Sequence, residues 1–364
     1  MRPMVRMFAI SALALALLTM ACGGGNGPVS TNGGGSAPSG GLALQGAGAT
    51  FPNPLYTKWI AEFNKKNPDV KIDYQAIGSG GGIKQITEKT VDFGATDAPM
   101  TDEQLKAAGK EILHIPTVLG AVVVTYNAPD LKEPLKLDGP TTAAIFLGEV
   151  KKWNDPKIAA LNPGVTLPSG DIAVASRADG SGTSAIFTDY LSKVSPEWKE
   201  KVGSGTTVKW PAGSSYKGND GVAGFVKQTP GSIGYVELIY AKNNNLAYAT
   251  LKNSAGEWVV PSLDSVTAAA AGAAKSIPDD LRVSITNAEG AGAYPISGFT
   301  YLLVYKDQDN QQKGKALTDF IAWGLKDGEG MAKDLVYAPL PAEILAKAEA
   351  KLKLVNFNGT PYVK

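Results

Sequence analysis

Three glycine- and hydroxyl-rich turns, each set between an apolar run and a helix-like stretch, constrain this chain more than any other feature. In the first, Gly46-Ala47-Gly48-Ala49-Thr50-Phe51 follows Leu42-Ala43-Leu44 and precedes a helical pattern starting near Pro52. In the second, Gly78-Ser79-Gly80-Gly81-Gly82 follows Val70-Lys71-Ile72-Asp73-Tyr74 and leads into Ile83-Lys84-Gln85-Ile86. In the third, Arg177-Ala178-Asp179-Gly180-Ser181-Gly182-Thr183-Ser184 joins Ile172-Ala173-Val174-Ala175 to Ala185-Ile186-Phe187-Thr188. Repeated strand–turn–helix units predict an α/β fold. Glycine lets the backbone bend tightly and approach a guest closely. The free N–H groups that open a helix lie at the positive end of its dipole, so such turns suit anions. Arg177 adds a planar cation fit for bidentate contact with a tetrahedral oxyanion.

None of the turns matches a nucleotide motif. G-x-x-x-x-G-K-[ST] does not occur, and Gly78-Ser79-Gly80-Gly81-Gly82-Ile83 lacks the last glycine of G-x-G-x-x-G. A single small oxyanion, surrounded by all three turns, fits better. Hydrolysis has little support in a chain with one His, one Cys, no G-x-S-x-G and no visible cluster of metal ligands. With 35 basic and 34 acidic residues, the charge balance leaves no basic patch of the size a nucleic acid needs. An anion site here must work through local donors and not through a bulk positive field.

The N-terminus reads as a signal peptide over residues 1–21. Arg2 and Arg6 form a positive start, residues 8–18 an apolar core, and Thr19-Met20-Ala21 leads to Cys22, the only cysteine. The apolar core is too short for a membrane span. Cys22 is expected to carry lipid and to become the first residue of the mature chain, with Thr19 where a lipobox usually has leucine. Residues 22–41 then form a Gly/Ser-rich tether with a random-coil reach of about 25 Å. Without Arg2 and Arg6 the mature chain has 33 basic against 34 acidic residues, a net charge of −1.

Beyond residue 41 of the 364, 323 residues remain, enough for two α/β domains. Trp59, Ile60 and Phe63 share one helical face, and Asp92-Phe93-Gly94-Ala95-Thr96-Asp97 reads as a short strand ending at a carboxylate. Thr101-Asp102-Glu103-Gln104 is a capping box. His114, in an apolar strand over 112–115, reads as a half-buried strand residue and not a ligand. Residues 120–126 form a continuous apolar run, as in a strand buried on both faces. Lys151-Lys152-Trp153-Asn154-Asp155-Pro156 reads as an exposed helix end. Lys217-Gly218-Asn219-Asp220-Gly221 reads as turn and N-cap chemistry that helps shape a cleft. A helix over 220–227, a strand over 232–236 and an alanine-rich stretch over 268–274 follow. The last part holds a strand over 299–305 and helices over 314–325 and 341–352, with Leu317, Phe320, Ile321 and Trp323 on a packing face.

These residues carry a resemblance. The chain resembles the phosphate-binding subunit, the PstS family, of the bacterial phosphate-specific ABC importer. Beyond the three turns, the similarity lies in Thr90-Val91-Asp92-Phe93-Gly94-Ala95-Thr96-Asp97-Ala98-Pro99, Val208-Lys209-Trp210-Pro211, Lys217-Gly218-Asn219-Asp220-Gly221 and Gly231-Ser232-Ile233-Gly234-Tyr235-Val236-Glu237. It implies a two-domain α/β periplasmic-binding-protein fold of type II with the ligand in the interdomain cleft. Domain I would comprise residues 42–121 and 294–364, and domain II residues 122–293. Carried over, the phosphate contacts would be Thr50, Phe51, Ser79, Asp97, Arg177, Ser181, Gly182 and Thr183, with Asp179 holding Arg177. Phe51 and Gly182 act only through the main chain. Gly80 stands where many relatives have a second serine. The resemblance further implies a monomer without cofactor, metal or catalytic residue, lipid-anchored in the periplasm or at the cell surface, that hands phosphate to an ABC permease and ATPase. The alternatives are another oxyanion, such as sulfate or molybdate, and a phosphate sensor or scavenger without a transporter. Asp97 argues against a fully deprotonated guest.

Overall fold

A computed structural model of the chain describes residues 41–273 and 277–363. The signal peptide, Cys22, the tether up to residue 40 and Ala274 of the alanine-rich stretch lie outside the described residues.

The first part alternates strand and helix as the turns require: β1 (Leu42–Gly48), α1 (Asn53–Lys66), β2 (Val70–Ala76), α2 (Ser79–Thr87), β3 (Phe93–Thr96) and α3 (Asp102–Ala108). β1 pairs in parallel with β2 and β3, which places the starts of α1 and α2 and the end of β3 along one edge. Gly80, Gly81 and Gly82 of the second turn fall inside α2, which Gly78 caps, in place of an ordinary turn. They are there for close packing, because a β-carbon on Gly82 would lie 2.6 Å from the Gly48 Cα and from the Ala95 carbonyl oxygen. The capping box at Thr101 and Gln104 forms, with both reciprocal hydrogen bonds.

β4 (Ile112–Asn127) is one strand of 16 residues where the sequence pattern predicts two. Pro116, which has no N–H for the ladder, sits beside a bulge: Thr300 pairs with Val118 and Tyr301 with Pro116, leaving Thr117 unpaired. His114 is buried and accepts the Met100 N–H on Nε2, and burial holds its pKa down at about 3.

The middle of the chain contains β5 (Lys136–Leu137), α4 (Gly139–Phe146), α5 (Pro156–Leu161), β6 (Ala173–Arg177), α6 (Gly182–Val194) and α7 (Pro196–Lys201). It continues through β7 (Ser214–Tyr216), α8 (Gly218–Gln228), β8 (Ser232–Glu237), α9 (Leu238–Asn243) and β9 (Ala247–Tyr248). After β10 (Thr250–Lys252), β11 (Trp258–Val259) and α10 (Leu263–Ala273), β12 (Ser297–Tyr305) starts the last part, with α11 (Gln311–Lys326), α12 (Glu329–Asp334) and α13 (Ala342–Leu352). Lys151 to Pro156 is a mostly exposed approach to the start of α5, capped by Asp155, with one exception at Trp153. Trp153 is buried, because its large apolar ring gains more inside than out, and its indole N–H donates to the Gly231 carbonyl.

Among the described residues the main sheet runs β2-β1-β3-β12-β4-β8-β6-β7, with β9 also on β4. β4 links its two halves. Up to Ala121 it pairs with β12, and from Val122 it pairs with β8.

The last part packs back on the first. Phe63 of α1 meets Phe320 of α11 edge-on at 5.3 Å, and the Trp59 indole N–H donates to the Gly328 carbonyl at 3.0 Å. A β-carbon on Gly324 or Gly328 would run into the Trp59 ring. Trp59→Ala should therefore lower the unfolding free energy by about 3–5 kcal/mol, read from urea denaturation at an unchanged m-value. A loss under about 1 kcal/mol would mean that this contact does not hold the two ends of the chain together.

Candidate functional site

The three turns converge on one buried point. Gly182 opens α6 directly over Ser79 and Asp97, where a β-carbon would collide with the Ser79 Oγ and the Asp97 Oδ2. The Gly80 N–H donates to the Gly180 carbonyl at 2.8 Å, and a β-carbon on Gly80 would come within 3.1 Å of the Gly180 Cα. From the first turn, Thr50 meets α8 and α6 through Asn219, whose Nδ2 donates to the Thr50 Oγ1 at 2.9 Å and to the Thr183 Oγ1 at 3.1 Å. All eight expected contact residues are buried.

Each turn is held by its own chemistry. Ser181 caps α6, its Oγ accepting the Ser184 N–H at 3.0 Å. That leaves the N–H groups of Gly182 and Thr183 at the helix start with no carbonyl one turn back to receive them. Tyr235 on β8 joins strand to helix: its hydroxyl accepts the Arg177 N–H at 3.2 Å and bonds the Ser184 hydroxyl at 2.6 Å. Its ring stacks on Phe187 at 4.3 Å. On the other side, Tyr240 and Tyr337 donate to the carbonyls of Thr50 and Phe51 at 2.5 and 2.6 Å. With those carbonyls tied back, the first turn has its acceptors occupied.

Three ionisable groups, Arg177, Asp179 and Asp97, define the electrostatics. The Arg177 guanidinium is buried and forks onto Asp179, Nε to Oδ1 at 2.8 Å and Nη2 to Oδ2 at 2.5 Å. Its Nη1 is buried without a hydrogen-bond partner. Asp179 also accepts the Gly218 N–H at 3.0 Å. Burial pushes the Asp179 carboxyl up, but the Arg177 hydrogen bond and charge outweigh this and hold it below the usual carboxylate range. Opposite lies Asp97, whose Oδ1 accepts the Thr300 hydroxyl at 2.8 Å and whose N–H donates to the Ser79 Oγ at 3.2 Å. Burial raises its pKa to about 7, against the lowering effects of the Thr300 hydrogen bond, the Arg177 charge and Ser79. The arrangement thus offers a cation with a free donor, hydroxyls, helix-opening N–H groups and one carboxyl that takes up a proton easily. Chemically it can replace the water around a small tetrahedral oxyanion. Among the described residues no group of three or more His, Cys, Asp or Glu could hold a metal ion.

Sequence reasoning missed two contributors. Thr300 looks like any residue of an apolar strand, and only the antiparallel arrival of β12 beside β3 brings it to Asp97. Asn219 was read as turn and cap chemistry, yet it sits inside the first turn of α8, fully buried. Its presence in the Lys217-Gly218-Asn219-Asp220-Gly221 match was the one signal available. Ser176, which precedes Arg177 on β6, bonds the Ser215 hydroxyl at 2.8 Å.

Comparison with known proteins gives the family. The PBP superfamily domain matches residues 30–327. The phosphate-binding protein PstS of Pasteurella multocida is 47% identical over 311 residues, 85% of this chain and 90% of that protein. PstS of Haemophilus influenzae is 45% identical over 312 residues, covering 85% and 92%. Among solved structures, the high-affinity periplasmic phosphate-binding protein PfluDING, bound with phosphate, superposes with a TM-score of 0.68 at 20% identity, covering 85% of this chain and 93% of that one. The fold is the α/β periplasmic-binding-protein fold. The chain belongs to the PBP superfamily and, within it, to the PstS family of phosphate-binding proteins.

Proposed function

We infer that this chain binds inorganic phosphate with high affinity outside the cytoplasmic membrane and delivers it to an ABC importer. One observation carries the reading: a buried Arg177 with Nη1 unpaired faces a buried, readily protonated Asp97, with hydroxyls and helix-opening N–H groups between them. A phosphate oxygen completes Arg177, others accept from Thr50, Phe51, Ser79, Ser181, Gly182 and Thr183, and the oxygen that keeps its proton donates to Asp97. Sulfate has no proton to give, and its oxygen would oppose a carboxylate that only accepts. This disfavours the sulfate alternative.

Residues 42–121 with 294–364 would form one domain and 122–293 the other, closing on the guest about the point where β4 changes partner. The bonds from Asn219 to Thr50 and from Gly80 to Gly180 cross between them. Binding then favours the closed form, the form a permease would recognise. A lipid on Cys22 and the tether would keep the protein, as a monomer, near that permease.

Equilibrium binding of radiolabelled phosphate, with excess sulfate and arsenate as competitors, tests the function directly. Phosphate should bind, arsenate should compete and sulfate should not; failure to bind phosphate would remove the reading. Arg177→Ala should weaken phosphate binding about 10- to 150-fold, from about 1.5–3 kcal/mol of lost charge-assisted hydrogen bonding. Asp179→Ala should do less, since it frees Arg177 without deleting it. Calorimetry that ranked Asp179→Ala as the more damaging would reverse the two roles.

The buried carboxyl also predicts a pH dependence. With its pKa raised from 3.8 to about 7, folded Asp97 holds a proton that the unfolded chain has already released. Its contribution to stability is full below about pH 4 and is lost as pH rises through about 7. The urea midpoint of the ligand-free protein should therefore fall more between pH 5 and pH 8 than that of Asp97→Asn. The buried Glu237 is raised chiefly by burial, which acts in both proteins; the smaller push it receives from the Asp97 charge is lost together with Asp97 and belongs to the same difference. Equal slopes would show that Asp97 is not held near neutrality.

A further inference from the structure

Asn219 uses every polar atom of its side chain. Its Oδ1 accepts the Glu237 N–H at 3.0 Å, which fixes the direction of the amide, since the flipped form would set NH₂ against N–H. Its Nδ2 carries two hydrogens and donates to two hydroxyl oxygens, Thr50 Oγ1 and Thr183 Oγ1. Thr50 Oγ1 accepts a second time, from the Asn219 N–H at 3.3 Å. A hydroxyl has one donor hydrogen and two acceptor lone pairs. With both lone pairs of Thr50 and one of Thr183 taken by the donors of Asn219, whose Oδ1 is turned away to the Glu237 N–H, the two hydroxyl hydrogens must donate elsewhere. The site between the two turns is where an acceptor would stand.

We propose that Asn219 is a positioning residue that makes Thr50 and Thr183 obligate donors, so that on their side the site accepts only bare oxyanion oxygens. The role rests on the phosphate reading above and deepens it. Asn219 forces unprotonated oxygens to one side of the guest while Asp97 takes the proton on the other. The guest is thereby oriented as well as bound. Because Thr50 comes from the loop after β1 and Asn219 from α8, the hydroxyl of Thr50 is locked only when those two segments meet.

A structural role alone would weaken binding whatever the two hydroxyls do, so the test is a thermodynamic cycle. Radiolabelled phosphate binding is measured for wild type, Asn219→Ala, Thr50→Val/Thr183→Val and the triple variant, with folding checked by thermal melting. Asn219→Ala should cost about tenfold or more in the wild-type background but less than about threefold where both hydroxyls are gone. If Asn219→Ala does not fold, Asn219→Asp replaces it, since it keeps the size and the acceptor for Glu237. Its carboxylate would draw the hydroxyl hydrogens away from the guest, so its loss should again shrink in the valine background. Its added charge acts in both backgrounds and cancels. Equal losses with and without the hydroxyls would overturn the role of Asn219. A wild type that binds no phosphate would instead remove the functional reading beneath it.

Discussion

The cleft depends on one buried ion pair that the protein leaves incomplete. A guanidinium taken out of water is costly unless its charge is matched and its N–H groups are bonded. Asp179 meets most of that demand, taking Nε and Nη2 in a fork and being steadied in turn by the Gly218 N–H. Nη1 is left over. A partly satisfied polar network inside a protein is high in energy, and an oxyanion that completes it recovers that energy as affinity. The net charge of the pair is close to zero, so selection falls to hydrogen-bond direction and not to attraction at a distance.

Direction comes from the fold. Parallel pairing of β1 with β2 and β3 brings the loops after those strands to one edge, and β6 with α6 supplies the matching edge opposite. Ligands in open α/β sheets collect at such strand ends. What lets the edges meet is above all the absence of a side chain at Gly182, where even a methyl group would run into Ser79 and Asp97, while Gly80 and Gly180 pass each other closely. Tyrosines then fix the backbone from behind: Tyr235 ties Arg177 to Ser184, while Tyr240 and Tyr337 tie back the carbonyls of the first turn. Within each edge the backbone of the turns is thus held by its own side of the fold.

Much of this was legible in the residues because it is local. The turns, the Ser181 cap, the capping box at Thr101 and the strand that ends at Asp97 each follow from neighbours in sequence. What was not legible depends on distant pairing. The chain gives no local sign that Pro116 rests at a bulge, so β4 reads as two strands. Thr300 reaches Asp97 across a gap of 203 residues, and Asn219 reaches Thr50 across 169. Trp153 likewise finds inside the fold a carbonyl partner, Gly231, that is 78 residues away in sequence. The return of α11 and α12 onto α1 follows no local pattern and was expected only by resemblance.

On the reading proposed above, selectivity resides in the protonation of the guest, with Asp97 as the group that reads it. The direct measurement is sulfate competition against radiolabelled phosphate at one fixed pH, in wild type and Asp97→Asn. An amide at position 97 can donate, so the variant should keep phosphate affinity within about tenfold while admitting sulfate, which the wild type excludes by about a thousandfold or more. Unchanged sulfate exclusion in Asp97→Asn would contradict the account and assign the discrimination to the donor array and the shape of the cleft.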